Sequence, residues 1–229
     1  MTAPALAPIL DFSFSRRWQA EILAARPIIL PARHFTYPGN VEEIERGALE
    51  VLIRPLAAAV EGTAPGPCDR APGENRPSAS QEAIPQPSSR PIPEPFLATC
   101  ALGFHDPIVP TGLWSTPRPE EICAVSGGYA YLIDTVSPGQ FTMLPHRPVL
   151  ELRPLPAEGL LLFIGHRSIL AWSARGRAWE SEKLSDEGVA VLGAENGILH
   201  GQGWAMMTDR EAPFALDLRS GERVQQDRA

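Results

Sequence analysis

The sequence predicts a mainly β fold: an incomplete or propeller-like stack of antiparallel blades with a small N-terminal α/β segment. Three observations predict it. Short apolar runs alternate with turn signals from Phe96 to Arg223. Twenty-five prolines disfavour long helices, because proline has no N–H for the helix ladder and a fixed φ. A shift of 38 residues lines up Glu121-ICAVSGGYAYLIDT, Gly159-LLLFIGHRSILAWS and Gly197-ILHGQGWAMMTD. In that register Gly127, Gly165 and Gly203 coincide, and so do Ile122, Leu160 and Ile198.

Residues 1–61 are expected to form an N-terminal segment packed on the β domain. Phe12-Ser-Phe14-Ser alternates with period two and reads as a short strand. Arg16 to Ala25 reads as a helix, with Trp18, Ile22 and Ala25 on one face and Pro27 ending it. Asn40 is placed to cap a helical turn, with Glu43 at its third position. Ala48 to Arg54 is either that helix continued or a strand. The strand is preferred, because Val51 to Ile53 is a compact apolar run before Pro55.

Residues 62–95 are crowded with Pro, Ser, Ala and Gly, and their only large aliphatic side chains are Ile84 and Ile92. Such a stretch buries too little apolar area to offset its ordering entropy, so a disordered linker is expected. Its spaced prolines (Pro85 and Pro87; Pro91, Pro93 and Pro95) favour extended polyproline II. An SH3-type ligand role is the lesser alternative to a plain linker.

Residues 96–225 are expected to be the blade-like domain. Gly127-Gly128, Ser137-Pro138-Gly139, Ala174-Arg175-Gly176, Glu195-Asn196-Gly197 and Ser220-Gly221 signal turns. Between them lie strand candidates at Ile122–Ser126, Tyr129–Asp134, Val149–Arg153, Leu160–Ile164, Ile169–Ser173, Val189–Leu192 and Phe214–Leu218. In each unit a strand rises to a glycine, which turns the chain or admits another backbone. A second strand then returns to a polar turn, as in Ala171-Trp-Ser-Ala-Arg-Gly176-Arg-Ala-Trp179 and Ala215-Leu-Asp217-Leu-Arg-Ser-Gly221.

The Ala-Leu-Asp-x-x-x-Gly arrangement at 215–221 resembles the repeat of quinoprotein-like (PQQ-type) β-propellers, over about residues 121–223. Blades of that family are about this long and often carry a tryptophan shortly after the glycine. Here Trp179 comes one position early after Gly176, Trp172 stands where an aspartate would, and the third unit has no late tryptophan. The resemblance implies blades, and in intact members a PQQ site within a larger propeller. This chain is short for such a ring and lacks the adjacent cysteines some members use. Gly165-His166 and Trp172-Ser173 also resemble the paired motifs of WD40 repeats, but stand too close together for that family. Three units fall short of the four blades that closure takes. Residues 96–120 are a candidate for another partial blade, and 11–59 for a further sheet.

A formal charge of −7 and a pI near 5.3 speak against a duplex nucleic-acid partner. No stretch approaches the apolar length of a membrane span, and Met1 to Leu10 lacks the basic start of a signal peptide. Cys68, Cys100 and Cys123 are odd in number and without CxxC spacing, so neither a disulfide framework nor a zinc site is expected. A cytoplasmic protein is the default reading.

No Walker loop, nucleophile elbow or HExxH is present, and Gly201-Gln-Gly203 has only two glycines of a dinucleotide fingerprint. His34, His105, His146, His166 and His200 are dispersed. A metal site from His105, His166 and His200 would need the fold to bring them together. Asp209 and Glu211, with Asp134 and Asp217, offer carboxylates for hydrolysis. Turn-capping is the preferred role for Asp134 and Asp217, and a solvated hairpin tip for Asp209-Arg210-Glu211. Trp114, Tyr129, Tyr131, Trp172, Trp179 and Trp204 read mostly as core. Trp204, Met206 and Met207, beside glycines, form an adaptable apolar cluster suited to a contact surface, with core packing as the stronger alternative. With His166 and Asp209 they make up the candidate binding residues.

These readings favour a non-enzymatic protein-interaction or scaffold module, with another protein as partner and no catalytic residue, metal or cofactor. The alternative is a quinoprotein-like or hydrolytic enzyme using carboxylates or a metal at the blade loops.

Overall fold

Alternation of apolar and polar residues sends successive side chains to opposite faces of a strand, so a run apolar at every position is buried on both faces. Leu160 to Ile164 (LLLFI) is such a run, Ile122 to Val125 within Glu121–Ser126 (EICAVS) is another, and both strands are buried throughout. They occupy the inner sheets of a layered stack. The computed structural model describes residues 7–39, 47–57 and 93–224. Every regular element among them is a strand. In chain order these are β1 (Ile9–Asp11), β2 (Trp18–Leu23), β3 (His34–Tyr37), β4 (Ala48–Pro55), β5 (Phe96–Ala101), β6 (Gly112–Ser115), β7 (Glu121–Ser126) and β8 (Tyr129–Asp134). There follow β9 (Phe141–Met143), β10 (Glu151–Leu155), β11 (Leu160–Ile164), β12 (Ile169–Ser173), β13 (Gly176–Glu180), β14 (Val189–Glu195), β15 (Ile198–Ala205) and β16 (Arg210–Asp217).

They form four sheets, none closed into a barrel. The N-terminal sheet runs β2-β4-β5-β3, the second β1-β6-β7-β8-β9, the third β10-β11-β12-β13 and the fourth β14-β15-β16. Neighbours are antiparallel except β1 with β6 and β3 with β5. Three apolar cores separate the four layers. Trp18, Val51, Ile53 and Phe96 of the N-terminal sheet meet Ile122, Ala124, Tyr131 and Ile133 of the second. The opposite face of that second sheet, with Trp114, Cys123 and Leu132, meets Leu161, Phe163, Leu170 and Trp172 of the third. The other face of the third, with Leu160, Leu162 and Ile169, meets Val189, Val191, Leu199 and Phe214 of the fourth. The mainly β, propeller-like stack is therefore what the chain forms.

A tryptophan N–H ties each pair of layers. Trp18 Nε1 donates to the Glu121 carbonyl (3.1 Å), Trp172 Nε1 to Glu121 Oε1 (2.8 Å) and Trp179 Nε1 to the Leu218 carbonyl (2.7 Å). These buried N–H groups thus find partners across a layer boundary rather than within their own sheet.

Several expectations need correction. The helix expected over Arg16–Ala25 is a strand, so the N-terminal segment holds no helix among the described residues. Trp18, Ala20 and Ile22 alternate with Gln19 and Glu21, and β4 supplies the partner that makes the strand the better state. The strand expected at Phe12–Phe14 lies earlier, at Ile9–Asp11. Asp11 Oδ1 accepts the Ser13 N–H (3.0 Å) in a turn that ends it. Asn40, Glu43 and residues 62–92 lie outside the described residues. Of residues 96–120, offered as a partial blade, β5 instead pairs with β4 and β3 in the N-terminal sheet. The strand preferred at Ala48–Arg54 is β4.

The 38-residue register needs a finer statement. Ile122, Leu160 and Ile198 each lie on a strand flanked by two antiparallel neighbours. Yet Ile122 points back to the N-terminal sheet, whereas Leu160 points on to the fourth. A slip of one residue inverts the face of every side chain, so the match of Ile122 with Leu160 fails at the level of packing. The hairpins differ too. Gly127 and Gly128 close a two-residue turn between Ser126 and Tyr129, Gly165 opens a longer one, and Gly203 lies inside β15. All three glycines do share one property, which is the close approach of another segment. A Cβ at Gly127 would lie 2.5 Å from the Phe104 carbonyl oxygen. At Gly165 it would lie 2.5 Å from His146 Nε2, and at Gly203 2.4 Å from the Leu184 carbonyl oxygen.

Candidate functional site

The β15–β16 hairpin pairs as far as Ala205 with Arg210, leaving Met206 to Asp209 as its tip. Asp209 takes the left-handed conformation (φ 50°) that closes this turn. The segment before β14 anchors the tip. Asp186 Oδ2 accepts the Met206 N–H (2.8 Å), and the Asp186 N–H donates to the Trp204 carbonyl (2.8 Å). Ser185 Oγ accepts from the Trp204 N–H (2.9 Å). Lys183 pairs with the Asp186 carboxylate, and its hydrogen bond, followed by that from Met206, holds the carboxyl below its ordinary range.

On this fixed base Met206 and Met207 stand 67% and 96% exposed. Trp204 is half-buried at the end of β15. Pairing puts it opposite Glu211, and Gln202 between Ala190 and Pro213. These residues and Leu192 belong to the face of the fourth sheet turned away from the third, and Leu192 is 66% exposed. No sheet covers that face among the described residues. A shallow cavity of about 430 Å³ opens on it, lined by Glu187, Val189, Gln202, Trp204 and Glu211 among others. Of the five predicted binding residues, then, Trp204 lines the cavity. Met206, Met207 and Asp209 sit on the adjoining tip. His166 is exposed and joins the same region only through its carbonyl, which accepts the Gly188 N–H (2.9 Å).

The carboxylates weighed for hydrolysis take turn roles. Asp134 Oδ1 accepts the N–H groups of Val136 and Ser137 (2.9 Å each), and Asp217 Oδ1 that of Arg219 (2.7 Å). Among the described residues no three His, Cys, Asp or Glu side chains gather as a metal site. Cys100 and Cys123 are buried free thiols, pushed up in pKa by desolvation. Among the described residues no helix is long and apolar enough to cross a membrane.

Sequence reasoning missed Glu121. It opens β7, faces Asp134 across the β7–β8 pair, and lines a crevice of about 420 Å³ with Leu132, Gln140, Thr142 and the Arg118–Asp134 ion pair. The available signal was a carboxylate heading an otherwise apolar run. Desolvation raises its pKa above the ordinary value, outweighing the Trp172 and Thr116 hydrogen bonds and nearby Arg118. A folded pKa above the unfolded one gives stability that is whole at acid pH and is lost as pH rises through the folded value. Glu121→Gln keeps an acceptor for Trp172 and removes the charge. Its unfolding midpoint is expected to exceed the parent's at neutral pH, with the gap closing below the ordinary carboxylate range. Parallel urea titrations across pH check this; a gap that widens in acid overturns it.

No family model matches this chain, and no curated protein matches it. Among solved structures, the crystal structure of the computationally designed Ika8 protein is similar to it at a TM-score of 0.36 with 12% identity. The match covers 56% of this chain and 39% of that one, and at that score it carries no argument about fold or function.

Proposed function

We propose that this chain is a non-enzymatic, cytoplasmic protein-interaction module whose contact surface is the outer face and hairpin tip of the fourth sheet. One observation carries the reading: Trp204, Leu192, Met206 and Met207 are presented together on an uncovered sheet face, on backbone that Ser185 and Asp186 hold in place. Aromatic and methionine side chains are enriched at such surfaces, and a held backbone lowers the ordering cost of binding. β6–β9, β10–β13 and β14–β16 are successive antiparallel meanders, which supports reading them as variants of one blade unit. Selection of a random peptide library on the intact protein tests the proposal. Selected peptides are expected to bind at least about tenfold more weakly, about 1.4 kcal/mol, to a Trp204→Ser, Met206→Ser, Met207→Ser variant. Equal binding to both proteins would remove this face from consideration.

A second reading, a hydrolytic or quinoprotein-like enzyme, is favoured by Glu121 and Asp134 meeting across β7 and β8 beside Arg118. Turnover of ester, glycoside or phosphate substrates that disappears in Glu121→Gln would replace the binding proposal. A thermal midpoint raised by PQQ with divalent cations would do the same.

A further inference from the structure

We infer that the cavity beside Trp204 receives a cationic side chain, lysine or arginine, from the bound partner. The inference rests on the interaction surface proposed above and names the chemistry that surface selects. Three nearby carboxylates are already paired: Glu180 with Arg177, Glu182 with Arg223 and Asp186 with Lys183. Glu187 and Glu211 have no ion pair among the described residues, and both line the cavity that Trp204 borders. Glu211 lies directly across the ladder from Trp204. Gln202, also in the lining, adds an amide that can accept from an ammonium or guanidinium. Arg210, next along β16, belongs by alternation to the opposite side of the sheet.

An indole that lines one cavity with two carboxylates suits a cation on two counts. The ring quadrupole attracts positive charge, and the carboxylates complement it. Ala190, exposed in the same lining, offers apolar surface to the methylene stem of a lysine or arginine. A phosphate or an acidic peptide would meet two uncompensated negative charges here.

A random dodecapeptide library selected on the intact protein tests this, with Glu187→Gln, Glu211→Gln as the diagnostic variant. Both glutamates are solvent-accessible and outside every core, so the variant keeps the fold. Peptides that depend on Trp204, Met206 and Met207 are expected to share a lysine or arginine at one position. Norleucine there should weaken binding about tenfold, and the glutamine variant should lose the same factor while binding the norleucine peptide as the parent does. Dependent peptides with no shared basic residue, or an unaffected glutamine variant, would overturn this inference and leave the interaction surface standing. Absence of any dependent peptide would overturn both. Self-association by sedimentation that the same glutamine changes abolish would show the face filled by a second copy and overturn the inference.

Discussion

Alanine at Trp18 is expected to cost about 3–5 kcal/mol of stability, the range for deleting a buried aromatic. Trp18 is fully buried between the first two layers, in edge-to-face contact with Phe12 at 5.6 Å. Its ring belongs to the core that holds Ala20, Ile53 and, from the second sheet, Ile122, and its N–H reaches the Glu121 carbonyl. Two losses therefore add: a cavity in a core that cannot fully collapse, and a carbonyl deprived of its tryptophan donor. Trp18→Phe separates them. It retains most of the apolar volume and strips the N–H, so a loss of about 1–3 kcal/mol is expected. Urea unfolding midpoints of the two variants against the parent check the ordering. A phenylalanine variant as unstable as the alanine one would show that the hydrogen bond, not the ring, matters most.

The second large effect is expected at Gly203. A Cβ there meets the Leu184 carbonyl oxygen at 2.4 Å and Ser185 Cβ at 2.8 Å. The first of these is backbone, so the segment itself must move. Gly203→Ala is expected to cost about 1–3 kcal/mol, as overpacking does. Because Ser185 and Asp186 hold Trp204 and Met206, the same displacement should also reduce peptide binding at the hairpin tip. Gly193 makes the control: its added Cβ meets nothing within 4 Å, and its φ is not in the left-handed region. Thermal unfolding of both variants decides the matter. Equal midpoints for Gly203→Ala and Gly193→Ala would contradict the packing seen here.

The parts of this fold that could be read in advance are those where local pattern and burial agree. Tyr129–Asp134, Leu160–Ile164 and Ile169–Ser173 are strands with the bounds their apolar runs suggest, because each is closed by a turn the chain itself encodes. Trp18 to Leu23 misled because an i, i+4 pair, Trp18 and Ile22, fits a helix face as well as a strand face. The choice was made by β4, some thirty residues away. The pairing of β5 with β4 was hidden for a similar reason, since the chain between them carries no sign of where it returns. The repeat misled more subtly. Identical glycine spacing survived, but turn lengths changed around it, and the side chains of the second and third sheets fell on opposite faces. Of the residues in the proposed contact surface, Trp204, Met206 and Met207 were picked out from composition beside glycines. Glu187 was not, since its role depends on a neighbour across the sheet. Glu121 stayed hidden because a single carboxylate at a strand start looks like any solvated end until three layers are seen to meet on it.

A ring fixes its own membership, because the angles between its members must sum to a full turn. This open file of layers obeys no such arithmetic, since each layer answers only to the one before and the one after. A further meander grafted beyond Leu218 would need only an inner surface that matches Leu192, Gln202 and Trp204. It would silence the proposed contact face by turning it into an ordinary interior. The same three residues are thus surface or core according to nothing but their place in the queue.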